Sequence, residues 1–143
     1  MPMVMMKGIM GVTLLLCSIQ DVIQKKICLW MIAIGGVLTG ICILHYKTIS
    51  LKDSLGGILV GVGVVLISKA TGGKIGMGDG LLLCLTGMGL GLWGNIELFA
   101  YALFAAAVVS IVLLILHLVD RKKSIPFVPF LLLSYMFITM AST

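Results

Sequence analysis

Charge is what this sequence has least of. Only 10% of its 143 residues are charged and only five are acidic, whereas a soluble domain carries about 25% charged residues. That supply excludes an ordinary soluble surface. Strand-like alternation is also missing. The apolar residues, 61% of the chain with a mean hydropathy of +1.26, come in long runs, which excludes a β-barrel pattern and points to helices that cross a bilayer. No C-x-x-C pair occurs among Cys17, Cys28, Cys42 and Cys84. A zinc site or a disulfide framework is therefore not expected, and the four thiols read as small polarisable packing groups. Neither Ser18 nor Ser68 sits in a G-x-S-x-G elbow, so a serine nucleophile of that kind is not expected. The first apolar segment has no clear small-x-small cleavage site, and it reads as a span rather than a removable signal.

What remains is an all-α, polytopic integral membrane protein, a single membrane-embedded domain over residues 1–143 with about six transmembrane helices. The expected spans are Pro2–Ile19, Cys28–Tyr46, Ser54–Ser68, Gly80–Trp93, Ile96–Val119 and Pro126–Met140. The net charge of +5 does not imply a nucleic-acid partner. The lysines stand singly or in pairs between apolar runs, where orientation signals belong, and are not gathered on one face. The first, third and fifth loops hold seven basic residues: Lys25, Lys26, Lys69, Lys74, Arg121, Lys122 and Lys123. The opposite side holds Lys7, Lys47 and Lys52. This asymmetry places the odd loops in the cytoplasm and both termini outside. It also puts His45 and His117 near opposite membrane faces, so a two-histidine metal site is not expected. Gly36 with Gly40, Gly57 with Gly61, and Gly87 with Gly91 are small-xxx-small pairs of the kind that let helix backbones approach closely in lipid.

Of the five acids, three have simple explanations. Asp53 and Glu97 open the third and fifth spans, where a carboxylate complements the positive helix end. Asp120 lies in "DRKK" beside its own counterions. Asp21, in "CSIQDVIQKKI", stands just past the first span, at the unfavourable end of a helix dipole. A pair with Lys25 at i,i+4 would stabilise it by only ~0.2–0.5 kcal/mol. Asp79, in "KIGMGDGLLL", has the position of an N-cap for the fourth span, yet Gly76, Gly78 and Gly80 surround it. Glycine at that density costs backbone entropy and fits a loop that passes close to an extended peptide. Both Asp21 and Asp79 belong to odd loops, hence to one membrane face. Two carboxylates at one edge suit an aspartic-protease arrangement. They share a proton, one activates water as general base, and the other polarises the scissile carbonyl. That chemistry needs no metal and no cofactor.

The residues now carry a resemblance. "GMGD", Gly76 to Asp79, looks like the G-x-G-D signature of intramembrane-type aspartic proteases. "SIQDVIQKKICLW" resembles the first-aspartate segment of type IV prepilin peptidases, and "KSIPFVPFLLL" resembles the segment that opens their last helix. The chain is similar to the short form of that family, without the cytoplasmic domain linked to N-methylation. The resemblance implies a multi-pass enzyme of the prokaryotic plasma membrane that cleaves the leader from prepilin, pseudopilin or competence-pilin precursors at the cytoplasmic face. Asp21 and Asp79 are its implied catalytic pair, Gly76, Gly78 and Gly80 its active-site loop, and Pro126 and Pro129 its last helix start. Three positions depart from the family pattern: Leu81 replaces a common lysine, Cys28 a common proline, and Val128 a common glycine. Two further readings compete with the enzyme. One is a non-catalytic relative that scaffolds pilus or secretion assembly. The other is a small transporter that uses the aspartates as ion ligands.

Overall fold

The computed structural model describes residues 2–24, 28–73, 76–120 and 125–142. All regular structure in these residues is helical: α1 (Pro2–Gln24), α2 (Leu29–Tyr46), α3 (Leu51–Ala70), α4 (Met77–Ile115) and α5 (Val128–Ala141). Four of them, α1 to α4, are long and apolar enough to cross a membrane. The expected fourth and fifth spans both fall within α4, on either side of Gly91, and the expected sixth falls on the 14-residue α5. Large apolar side chains such as Val12, Leu38, Leu59, Phe104 and Phe137 point outward, as they do when the solvent is lipid rather than water. Trp30 and Trp93 are more than three-quarters exposed. They stand at opposite ends of the chain's crossings, where amphipathic rings sit at the headgroups.

Helix α4 is not straight. Gly91 breaks it with φ 78° and ψ −177°, a left-handed backbone that glycine adopts without a Cβ clash. The chain folds back there. In an unbroken helix Leu83 and Asn95 would stand about 18 Å apart, yet the Asn95 Nδ2 donates to the Leu83 carbonyl at 2.9 Å. The residues before Gly91 (77–90) and after it (92–115) are therefore two antiparallel limbs. Asn95 is fully buried and completely bonded. Its second Nδ2 hydrogen goes to the Gly57 carbonyl at 2.9 Å, and its Oδ1 accepts the Thr86 hydroxyl at 2.8 Å. In hydrocarbon such a polar side chain is held only if every group finds a partner.

Among the described residues α4 touches each of the other four helices, while α3 packs on α4 alone. The reason lies in missing side chains. A Cβ on Gly57 would strike the Gly87 carbonyl, one on Gly61 would strike the Cys84 backbone, and one on Gly80 would lie 2.6 Å from Val65 Cγ2. These pairs descend as α3 rises, so α3 runs antiparallel to the first limb with its backbone almost in contact. The expected Gly57–Gly61 pair thus serves close packing. The other two glycine pairs do not act as expected. Gly87 packs, but its partner Gly91 is the fold-back. Gly36 and Gly40 meet only the tips of Leu85 and Met88 at ordinary distances, and it is Gly35 that takes the close neighbour, Thr13. Glu97 also departs from expectation. It is exposed and lies beyond the first turn after Gly91, so it does not open a helix. Asp53 does lie in the first turn of α3.

Candidate functional site

The two remaining carboxylates are placed by the helices that carry them. On α1 the residues Met6, Met10, Leu14 and Cys17 are buried. Their spacing of four, four and three marks one helical face, and Asp21 continues it four positions on. The helix runs on to Gln24. Asp21 therefore stands in the last turns of α1 and not past its end, on the face that looks into the protein. Lys25, its expected ion-pair partner, lies outside the described residues, as do Lys26, Lys74, Arg121, Lys122 and Lys123, which carry most of the orientation reading.

Asp79 belongs to the first turn of α4. The N-cap is Gly76, with φ −60° and ψ 119° and no capping side chain, so Asp79 is not the cap that its position suggests. It lies three residues in, with its N–H donating to the Gly76 carbonyl at 3.2 Å. Its carboxylate turns back over the helix end. A Cβ on Gly76 would stand 2.6 Å from Asp79 Oδ2, so Gly76 is needed for that rotamer. Gly80 is buried against Val65 of α3. Gly78 is half-buried in the same turn. Of the three glycines expected to leave room for a peptide, Gly76 makes room for the carboxylate and Gly80 for α3.

Register brings the carboxylates level. Met10 of α1 meets Gly89 of α4, where a Cβ would overlap its sulfur. Asp21 stands eleven positions beyond Met10 and Asp79 ten positions before Gly89, displacements of about 16 and 15 Å at helical rise. Because the limb runs antiparallel to α1, both end at the same height. A third element lies alongside: α5 packs against both α1 and α4, with Val128 fully buried at its start. Pro129 lies in that first turn, whereas Pro126 precedes the helix.

Around the pair the walls are Cys17, one turn before Asp21 and fully buried, and Val128, also fully buried. Leu81 is half-buried and packs against the apolar core. Among the described residues no group of three or more histidine, cysteine, aspartate or glutamate side chains has the arrangement of a metal site. Sequence reasoning missed the role of Gly76, because a glycine kept bare for a neighbouring carboxylate reads in sequence like one kept bare for a substrate. Comparison with protein-family models, with curated proteins and with solved structures gives no match.

Proposed function

We propose that the chain is a membrane aspartic endopeptidase that removes the leader from prepilin-type precursors. The observation that carries this reading is the level placement of Asp21 and Asp79, from two helices far apart in sequence, set by the meeting of Met10 with Gly89. Two carboxylates that share a site do not both ionise readily. The ionised member takes a proton from water, and the resulting hydroxide attacks the scissile carbonyl carbon. The protonated member donates to the carbonyl oxygen, and the leaving amine regains a proton as the tetrahedral centre collapses. The leader departs with a new carboxylate and the mature pilin with a new N-terminal amine. In this reading the two limbs of α4 count as separate crossings and α5 as the sixth. The odd loops and the aspartates face the cytoplasm of a prokaryotic cell, where a basic leader is presented ahead of an apolar helix.

A second reading rests on Leu81. An apolar side chain packed toward the core stands where many family members place a lysine, which favours a non-catalytic relative that scaffolds pilus assembly. Purified protein in lipid, supplied with a prepilin bearing its leader, separates the two. The enzyme reading expects cleavage just before the hydrophobic helix of the pilin, seen as a mass shift. Intact precursor after prolonged incubation with several candidate pilins would support the scaffold.

Gly76 supplies a finer test of the site. Gly76→Ala drives a Cβ against Asp79 Oδ2 and forces the carboxylate out of its rotamer. The substitution is at an exposed helix cap, so the melting temperature should change little. Cleavage should fall by about 10²-fold, the scale of a misplaced catalytic group, as read from initial rates beside thermal unfolding of the same preparation.

A further inference from the structure

Helices α1 and α5 run antiparallel, with Lys7 beside Ser142 and Gly11 beside Tyr135. A groove lies between them. Its walls are Gly8, Gly11 and Leu15 of α1 and Leu132, Tyr135 and Met136 of α5, and it holds about 310 Å³. The glycines keep it open. A Cβ on Gly8 would meet nothing within 4 Å, and one on Gly11 would only touch Tyr135 Cε1 at 3.5 Å. The hydroxyls along it are engaged: Tyr135 Oη donates to the Lys7 carbonyl and Thr139 Oγ1 to the Tyr135 carbonyl, both at 2.7 Å. The surface left is hydrocarbon. It suits an alkyl chain and gives an extended peptide no partner for its N–H and C=O groups. At the mouth stands Lys7, the only charged residue of α1 before Asp21. Its Nζ donates to Ser142 Oγ at 2.8 Å, and among the described residues no acid pairs with it. An ammonium carries three hydrogens, of which Ser142 accepts one. A lysine near the end of a spanning helix brings its charge to the headgroup level.

We propose that this groove is a binding site for an anionic phospholipid: one acyl chain lies between α1 and α5, and Lys7 holds the headgroup phosphate. Chain and charge are in register. From Gly8 to Leu15 the groove follows α1 for about 10 Å at helical rise, and it begins one residue from the ammonium. The site is separate from the aspartates, since Lys7 precedes Asp21 on α1 by about 21 Å. The competing occupant is a second copy of the chain. A two-fold dimer through this groove would bring the two copies of Lys7 together, and like charges repel, whereas a phosphate is attracted to the same ammonium.

Thermal unfolding of the full chain in a neutral detergent tests it, with phosphatidylglycerol or phosphatidylcholine of the same acyl chains added. Phosphatidylglycerol should raise the wild-type melting temperature by about 3–6 °C, and phosphatidylcholine by clearly less. Lys7→Gln keeps the groove and should weaken phosphatidylglycerol binding about fivefold, which brings the two lipids level. Gly8→Leu fills the groove from a position with room for its Cβ, and leucine is favoured over glycine in a helix. That variant should fold as well as wild type and gain nothing from phosphatidylglycerol. Inorganic phosphate, which has the charge without the chain, should leave the melting temperature in place. Equal stabilisation of wild type by the two lipids overturns the proposal, as does a full phosphatidylglycerol response in Gly8→Leu or a matching rise with inorganic phosphate alone. A dimer in light scattering that Gly8→Leu abolishes would overturn it too, and give the groove to a second copy. None of these readouts involves cleavage, so the outcome is independent of the peptidase reading.

Discussion

Asparagine in place of Asp79 should leave a folded protein that no longer cleaves a leader peptide. The amide is nearly isosteric with the carboxyl, so packing against Gly76 and α3 survives. What disappears is the group that shares a proton with Asp21. General acid–base catalysis by a positioned side chain contributes about 10²–10⁴-fold, and Asp79→Asn should lower single-turnover cleavage by that amount. Asp21→Asn should do the same. Groups that act as one unit lose their effects non-additively, so the double variant should be no slower than either single one. A transporter using the acids as separate ligands predicts no such pattern. Cleavage by Asp79→Asn at close to the wild-type rate would sink the assignment of the pair.

The second large effect is on stability. Gly57→Ala sets a methyl group against the Gly87 carbonyl, a backbone atom that has no rotamer in which to escape. Overpacking commonly costs about 1–3 kcal/mol and occasionally more. The upper end is expected here, because among the described residues α3 packs on no helix but α4. The displacement also pulls the Gly57 carbonyl from Asn95, leaving a buried donor unpaired at a further cost of about 1–3 kcal/mol. Gly63→Ala is the control on the same helix. Its Cβ meets nothing within 4 Å, and alanine is favoured over glycine in a helix by about 1 kcal/mol. Thermal unfolding in detergent should therefore show Gly57→Ala falling well below wild type and Gly63→Ala level with it or above. Equal melting temperatures for the two would contradict the backbone contact.

Much of the architecture was readable because hydropathy is a property of runs. The apolar stretches around Leu14, Leu38 and Val64 became α1, α2 and α3 with boundaries a few residues away from those expected. The glycines were harder. Gly57, Gly61, Gly87 and Gly91 look alike in sequence, yet three permit close approach and one supplies a positive φ. Both uses follow from a missing Cβ, and only the neighbours distinguish them. Asp21 and Asp79 could be assigned to one face from loop charges, but their common height depends on the meeting of Met10 with Gly89, a long-range register that no local pattern encodes. Asp79 also looked like a cap and proved to be an internal first-turn residue, because Gly76 took the cap position in an extended conformation without offering a side chain.

The fold-back at Gly91 bears on how the chain is made. The limb before it spans about 21 Å at helical rise, less than the ~30 Å of a bilayer's hydrocarbon core, and it begins beside a carboxylate. Such a segment is a poor unit to deliver into lipid alone. Its polar clasp is completed by Asn95, which is synthesised after it. Biogenesis therefore favours entry of the two limbs together as a hairpin, with α3 already present to supply the Gly57 carbonyl. A ribosome-bound chain truncated before Asn95 would lack the side chain that ties the first limb to α3 and to the second limb. The same amide that closes the finished fold thus marks the length of chain at which the first limb can be locked in place.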